Sequence, residues 1–227
     1  MELSSRQKRF VNPTEERIRE VAVRLFAQKG FQGTSIRDIA GETGLTSSAL
    51  YYYIGAKEAL LLQIMREVTV PLFEAAQKIV TGGITPEEEL ASLVLLHVWV
   101  HGTYPLSTHI AHAEIQHLTG EARQEMLDLR DRYELLWREV LKRGNDEGVF
   151  QVHKSRLAAI ALIEMCSGIT RWYRADGELT LHQLCQIHAD WALGLVRATR
   201  DGSPVRATDL ELVDPAAYGL LALTSGQ

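Results

Sequence analysis

A stretch of twenty residues from Thr34 to Tyr53 constrains the fold of this chain more than any other part of the sequence. Gly44 divides it into two short segments, and each carries apolar residues at the spacing of one helix face. The second segment leaves hydroxyl and phenol groups on its outer face. Two short helices joined by a tight turn, the second with a polar outer face, are how a protein places side chains in the major groove of DNA. The apolar positions are Ile36, Ile39, Ala40, Ala49, Leu50 and Tyr53.

Clear helix boundaries flank this stretch. Asn12 and Pro13 fit the cap and the first position of a helix that ends near Gly30. Lys57 opens a long fourth helix that runs to about Thr81. The chain is therefore predicted to be all-α with about nine helices: an N-terminal three-helix helix-turn-helix domain, followed by a larger helical body. The body helices are predicted at about 86–102, 105–118, 121–147, 155–174 and 181–199.

The composition is that of an ordinary globular protein, with 46% hydrophobic and 23% charged residues. Cys166 and Cys185 are the only cysteines, too few for a disulfide framework, and this indicates a reducing compartment. The start of the chain lacks an apolar signal core, and no apolar run is long enough to span a bilayer. We therefore expect a cytoplasmic protein with no membrane partner.

The net charge of −5 is unevenly distributed. Residues 1–60 hold 9 Lys and Arg against 7 Asp and Glu, whereas the remainder holds 15 against 22. A slightly basic front, with Arg6, Lys8 and Arg9 in an N-terminal arm over 1–12, can meet phosphate, and an acidic body cannot. This asymmetry argues against an architectural DNA protein that is basic throughout.

Three runs in register resemble the DNA-binding domain of the tetracycline-repressor (TetR) family: KGFQGTSIRDIA (29–40), GLTSSALYYY (44–53) and KEAL (57–60). The resemblance covers about residues 14–65. It implies a regulator of transcription whose second helix crosses the DNA backbone and whose third helix enters the major groove of a palindromic operator. The residues implied as DNA contacts are Ser35, Arg37, Thr46, Ser47, Ser48, Tyr51, Tyr52, Tyr53 and Lys57.

Two features limit what this motif predicts. Ile54 stands where the family usually has Phe, and Gly55 and Ala56 replace the usual Ser or Asn cap, so the fourth helix is expected to start less firmly by ~1 kcal/mol. The hydroxyl groups at the start of the third helix discriminate weakly between bases. The motif therefore predicts DNA binding more clearly than it predicts which DNA is bound.

A second resemblance concerns the body. The runs EIQHL (114–118), LRDRYE (129–134), GVF (148–150) and ITRWYRADGELT (169–180) are similar to effector domains of TetR-type regulators of fatty-acid and steroid degradation. This implies a repressor released by a small molecule, often an acyl-coenzyme A, in a partly apolar pocket. Core packing is the alternative role of each aromatic, and a drug-efflux regulator sensing a lipophilic or cationic compound is the alternative function. Candidate ligand contacts are Trp99, Tyr104, Arg130, Tyr133, Trp137, Met165, Arg171 and Trp172, with Arg174 as a further basic group.

The predicted organisation is a DNA-binding domain over 1–60, a ligand-binding and dimerisation domain over 61–200, and a mostly irregular tail over 201–227. The family resemblance implies a homodimer through the last two helices. Small residues on the first of them and the apolar stripe on the second fit this, although an intramolecular core produces the same pattern. The stripe comprises Leu184, Ile187, His188, Trp191, Leu195 and Val196.

The histidines raise a metal-responsive alternative. His97 and His101 are four residues apart, His109 and His112 three apart, and His117 follows, a spacing that places imidazoles on one helix face. Pocket-lining or solvent-facing histidines are the commoner outcome, so no metal and no cofactor is predicted. Nucleophile elbows, phosphate loops, zinc-protease motifs and dinucleotide fingerprints are absent from the sequence, and nothing in it points to an enzyme.

Overall fold

The computed structural model describes residues 12–218. Its first three helices pack around a shared apolar core, as the sequence predicts: α1 Pro13–Gly33, α2 Ile36–Thr43 and α3 Ser47–Ile54. Helical geometry in α1 breaks at Gly30, where φ is 73°. The basic residues of the predicted N-terminal arm lie outside the described residues.

Local chemistry fixes the ends of these short helices. Ser35 forms a reciprocal capping box with Asp38 at the start of α2. The hydroxyl of Thr46 accepts from the backbone N–H of Ala49 at the start of α3. Gly44 sits between them with φ of 72°, in the left-handed region where a residue without Cβ is favoured. The turn therefore follows directly from the sequence.

Six further helices build the body within residues 12–218, and α4 continues without interruption past the domain boundary predicted at residue 60. Ala56 precedes α4 and provides no side-chain cap, and the weaker start of this helix stays a prediction. These helices are α4 Lys57–Val80, α5 Pro86–Thr103, α6 Pro105–Ala113, α7 Gly120–Asp146, α8 Ser155–Ser167 and α9 Leu181–Leu195.

Three helices end earlier than their apolar periodicity predicts, and one of them is α9, which stops at Leu195 instead of about residue 199. α6 stops at Ala113, and the chain continues as a 3₁₀ turn over Ile115–His117. α8 stops at Ser167 and continues as a 3₁₀ turn over Gly168–Arg171. Apolar spacing persists through such tighter turns, so the pattern alone overestimates helix length.

A short hairpin follows α9 and spans the end of the predicted last helix and the start of the tail that is predicted to be mostly irregular. Strands β1 Thr199–Arg200 and β2 Ser203–Pro204 pair in antiparallel fashion. Asp201 and Gly202 between them both have positive φ, the conformation that an Asp-Gly hairpin turn requires.

Helix α5 forms the centre of the body. It is buried on nearly all sides and packs against α4, α7, α8 and α9. Its buried carboxylates Glu87 and Glu89 pair with Arg200 and Arg143, as burial of a charge demands. Among residues 12–218, no helix is both long and apolar enough to cross a membrane.

Candidate functional site

Helix α3 presents the most exposed aromatic surface of the N-terminal region. Tyr52 is 86% exposed and Tyr51 is 48% exposed. Tyr53 is half-buried against the core, and Ser48 is exposed. The structure therefore places Tyr51, Tyr52 and Ser48 where a DNA duplex can reach them, whereas much of Tyr53 is used for packing.

Some of the other predicted DNA contacts are accessible side chains, and others already form hydrogen bonds within the protein. Arg37 is exposed on α2, and Ser47 is half-buried at the start of α3. The hydroxyls of Ser35 and Thr46 both serve as helix caps. Ser35 also donates to Asp38, and this hydrogen bond lowers the pKa of the Asp38 carboxyl. A capping hydroxyl keeps a lone pair but has lost part of its freedom to turn toward DNA.

Lys57 holds the end of α1. Its Nζ donates to the carbonyl oxygens of Phe31 and Thr34, each at 2.8 Å, and lies 4.2 Å from the centroid of the Phe31 ring. Burial lowers the pKa of the ammonium. Two of its three N–H groups thus donate hydrogen bonds within the protein. The phosphate contact implied for Lys57 stays a prediction, and only the third N–H group is available for it.

The body contains a cavity of about 420 Å³ between α4, α5, α6, α7 and α8. Apolar side chains form much of its wall. The buried imidazoles of His97 and His101 lie at its inner end, beside the more exposed His112, and charged groups lie at its rim. The lining residues are Val68, Thr69, Leu72, His97, His101, Thr108, Ala111, His112, Met126, Leu127, Arg130, Asp131, Tyr133, Glu134, Ile160, Ile163 and Glu164.

Three imidazoles meet at the inner end of the cavity. The rings of His97 and His101 stack with centroids 4.0 Å apart, and Nε2 of His101 lies 3.3 Å from Nε2 of His112. His97 also contacts Tyr133 and Ser167, each at 2.9 Å. Within the described residues, no group of three or more His, Cys, Asp or Glu side chains has an arrangement that could hold a metal ion.

Burial is the main cause of the perturbed pKa values in this cluster. It lowers the pKa of His97 well below the ordinary value and that of His101 to about 3. It also lowers the pKa of His112, aided by the positive charge of Arg130 and opposed by Glu164. These imidazoles are therefore neutral at physiological pH, and they act as hydrogen-bonding groups without charge.

The segment between α6 and α7 connects the cavity to the DNA-binding helices. The ring of His117 stacks on Phe31 with centroids 5.5 Å apart, and its Nδ1 lies 3.4 Å from the amide nitrogen of Gln32. His117 also pairs with Glu114 at 3.2 Å. Phe31 is the same ring that Lys57 approaches.

At its other end, this segment forms hydrogen bonds with α4. Thr119, which precedes α7, gives that helix no side-chain cap of its own. Its N–H and hydroxyl instead donate to the Glu58 carboxylate on α4, at 2.6 and 3.0 Å. We call Phe31, Lys57, Glu58, His117 and Thr119 the interdomain joint.

Comparison with known proteins decides the family. Residues 18–64 match the family of bacterial regulatory proteins named tetR, and residues 83–196 match the tetracyclin repressor-like C-terminal domain. The second match alone spans half of the chain. This chain belongs to the TetR family.

Relatives and solved structures agree with this assignment. HTH-type transcriptional repressor KstR2 of Mycobacterium tuberculosis is 28% identical over 85% of this chain and 96% of its own length. The structure of KstR2, a ketosteroid transcriptional regulator, superimposes with a TM-score of 0.77 at 26% identity, covering 84% and 97% of the two chains. PfmR from Thermus thermophilus is 30% identical over 81% and 99%, with a TM-score of 0.71. AibR in complex with isovaleryl coenzyme A and operator DNA gives 0.71 at 25% identity over 78% and 97%.

The TetR family assigns this protein to DNA-binding regulators of transcription, and its relatives are regulators, not enzymes. The predicted all-α fold and the helix-turn-helix recognition are thereby confirmed. The comparisons leave individual site residues untested, so their roles stay predictions that the geometry refines.

The cavity wall contains only part of the set of ligand contacts predicted from sequence. Of the eight ligand candidates, Arg130 and Tyr133 line the cavity and the other six do not. Trp137 is fully buried behind His97, Trp99 packs edge-on against Tyr104, and Met165 packs against the core. Arg171 and Trp172 follow the early end of α8 and are exposed, as is Arg174.

The imidazoles of His97, His101 and His112 line the cavity, which agrees with the pocket-lining alternative for these histidines, although none of them is among the predicted ligand contacts. The four-residue spacing of His97 and His101 correctly placed them on one face of α5. The approach of His112 depends on the tight turn at Tyr104 that folds α6 back over α5. Residue spacing within one helix carries no information about that turn.

Proposed function

We propose that this protein is a homodimeric repressor of the cytoplasm that binds a palindromic operator and is released by an acyl-coenzyme A or a related lipid-derived molecule. Two copies of α3, held about one DNA turn or roughly 34–36 Å apart, would fit successive major grooves. Ligand in the body would change that spacing and lower the affinity for DNA.

One observation carries this proposal: the cavity and the DNA-binding helices share α6 and the segment after it. His112 on α6 lines the cavity, and His117, five residues later, stacks on Phe31 at the end of α1. Any ligand that moves α6 therefore acts directly on the interdomain joint. This meets the physical requirement that ligand and DNA favour different arrangements of the same elements.

Two observations support an acyl-coenzyme A as the ligand: the similarity to AibR and KstR2, and the volume of the cavity. AibR was solved with isovaleryl coenzyme A, and KstR2 is a ketosteroid regulator. A cavity of about 420 Å³ is large enough for an acyl group with part of the pantetheine arm, but too small for a whole coenzyme A. The nucleotide would remain outside the rim, near the exposed guanidinium of Arg130.

Dimerisation through α8 and α9 is supported by apolar groups that the single chain leaves exposed. Leu157 on α8 is 64% exposed, and Trp191 and Leu195 on α9 are 54% and 47% exposed. Large apolar side chains left exposed on two helices that both pack against α5 favour burial against a second copy.

The test uses DNA selected by the protein from a random-sequence pool, followed by fluorescence anisotropy with an acyl-coenzyme A series of increasing chain length. We expect release by at least one thioester, and weaker DNA binding in Arg37→Ala and Tyr52→Ala. Arg123→Ala, an exposed arginine on α7, is the matched control and should bind as the parent does. An unchanged affinity in both α2 and α3 variants would contradict the proposed DNA surface.

A cationic effector is the second candidate, and one observation favours it. The rim carries the carboxylates Asp131, Glu134 and Glu164 against the single guanidinium of Arg130. Glu134 forms an ion pair with Arg156 at 3.5 Å. The net negative charge of the rim is therefore smaller than the number of its carboxylates suggests. Release of DNA by a lipophilic cation, with no response to any thioester, would favour this candidate.

A further inference from the structure

The hydrogen bonds at the inner end of the cavity indicate where each shared proton lies, because the backbone carbonyl oxygens there can only accept. Ser167 donates its only hydroxyl proton to the carbonyl oxygen of Ile163 at 2.8 Å. Toward His97 Nε2, at 2.9 Å, Ser167 is therefore the acceptor, and His97 carries its proton on Nε2. His97 Nδ1 then accepts the hydroxyl proton of Tyr133 at 2.9 Å.

The same reasoning applies to the next pair. Nδ1 of His101 lies 2.8 Å from the carbonyl oxygen of His97, which can only accept, so His101 carries its proton on Nδ1. Its Nε2 is therefore a lone pair. His112 Nε2, at 3.3 Å, has to be the donor to it, which leaves Nδ1 of His112 without a proton.

The imidazole chain consequently ends in an acceptor in either of two arrangements. With the histidine pair intact, the free atom is Nδ1 of His112. With His112 displaced by a ligand, it is Nε2 of His101. Burial, which lowers the pKa of both rings, prevents a further proton from converting that acceptor into a donor at neutral pH. Thr108, also in the wall, donates its hydroxyl proton to the backbone carbonyl oxygens of Tyr104 and Pro105, so this proton is not available to a ligand.

We propose that the effector carries a neutral hydrogen-bond donor, a hydroxyl or an amide N–H, at its buried end and donates it to the His101–His112 pair. A ketone or a bare hydrocarbon at that position would cover the acceptor nitrogen without donating to it, and a lone pair shielded from water in this way is costly. A neutral donor fits better than an ammonium, because His97 and His101 are each 2% exposed and the carboxylates lie at the rim. The inference rests on the cavity being the effector site, as in the proposed function.

The first test needs no effector. Nitrogen NMR of the histidine side chains in the full-length protein reports which ring nitrogen carries each proton. We expect Nε2–H for His97, Nδ1–H for His101 and Nε2–H for His112. A proton on Nε2 of His101, or on Nδ1 of His112, overturns the proposal directly.

The second test compares probes that differ only in the donor. Cyclododecanol, cyclododecanone and cyclododecylamine form one set, and β-hydroxyoctanoyl- and β-ketooctanoyl-coenzyme A form another. Calorimetry should show the hydroxyl compound binding roughly tenfold more tightly than its ketone, the ratio expected for one satisfied buried acceptor. The double variant His101→Phe with His112→Phe removes both acceptors and should reduce this ratio toward one, with His101→Leu and His112→Leu as a second pair should the first unfold. His109→Phe, on the same helix but outside the cavity wall, should retain it.

The outcomes separate the two proposals. If the cyclic alcohol binds more tightly than its ketone and neither thioester binds, the effector is not an acyl-coenzyme A, but the requirement for a hydrogen-bond donor, called the donor rule below, is supported. Equal or tighter binding of ketone or amine, or failure of every hydroxyl probe to bind, overturns the donor rule. Release of DNA by both thioesters alike would preserve the proposed function while overturning the inference.

Discussion

Replacing Lys57 with methionine should destabilise the protein, because Lys57 is a structural cross-link before it is a DNA contact. Its ammonium donates to Phe31 and Thr34 at 2.8 Å each. A hydrogen bond to a charged group contributes about 1.5–3 kcal/mol. The group is only partly buried, so water can replace part of both bonds, and we expect a net loss of about 2 kcal/mol. For a chain of this size that corresponds to a fall in Tm of roughly 4–8 °C.

The measurement is thermal unfolding in the absence of DNA, together with DNA affinity at several salt concentrations. Lys78→Met, in the last turn of the same helix, is exposed and serves as the control. A lysine that only contacted phosphate would leave Tm unchanged and reduce the slope of log affinity against log salt by ~0.9 per lost contact. An unchanged Tm in Lys57→Met, combined with that change in slope, would refute the structural role.

Three further predictions concern packing, assembly and pH. Gly144→Ala should destabilise the fold by about 1–3 kcal/mol, measured by denaturant unfolding, because a Cβ there would lie 1.9 Å from the Phe150 ring. Leu195→Asp with Trp191→Ser should yield a monomer by light scattering at micromolar concentration; a persistent dimer would exclude the α9 surface. Neutral His101, with its pKa lowered from 6.5 to about 3, stabilises the fold above pH 6.5, and this contribution is lost as pH falls toward 3. His101→Phe should therefore flatten the fall in stability over that range, as followed by urea titration.

The parts that sequence predicts well are those determined by neighbouring residues. The caps at Ser35 and Thr46 and the turn at Gly44 each depend on side chains within three or four positions, so α2 and α3 begin and end as expected. The Asp201–Gly202 hairpin has an equally local signal in its turn dipeptide, which the interpretation as an irregular tail overlooks.

The cavity is formed by residues that lie far apart in the chain, and residue type alone does not indicate which side chains reach its wall. Aromatic and basic side chains suit a lipid-like ligand, yet Trp137 is core and Trp172 is exposed. A helix has a buried and an open side, and which side faces a cavity depends on all the helices around it. The interdomain joint is equally hidden from sequence, since Glu58 and Thr119 meet across sixty-one positions.

The contacts of the interdomain joint also indicate how large a change in free energy a ligand must cause to release DNA. Allosteric coupling typically amounts to about 1–3 kcal/mol, and a single hydrogen bond contributes about 0.5–1.5 kcal/mol. Loss of one or two contacts, such as His117 with Gln32 at 3.4 Å, therefore suffices. Because that histidine lies five residues after His112, a donor group that draws His112 away from His101 acts on the joint through a single turn of chain. The chemistry that selects the ligand and the contact that senses it then belong to one segment, so variants at His112 should alter effector preference and the extent of release together.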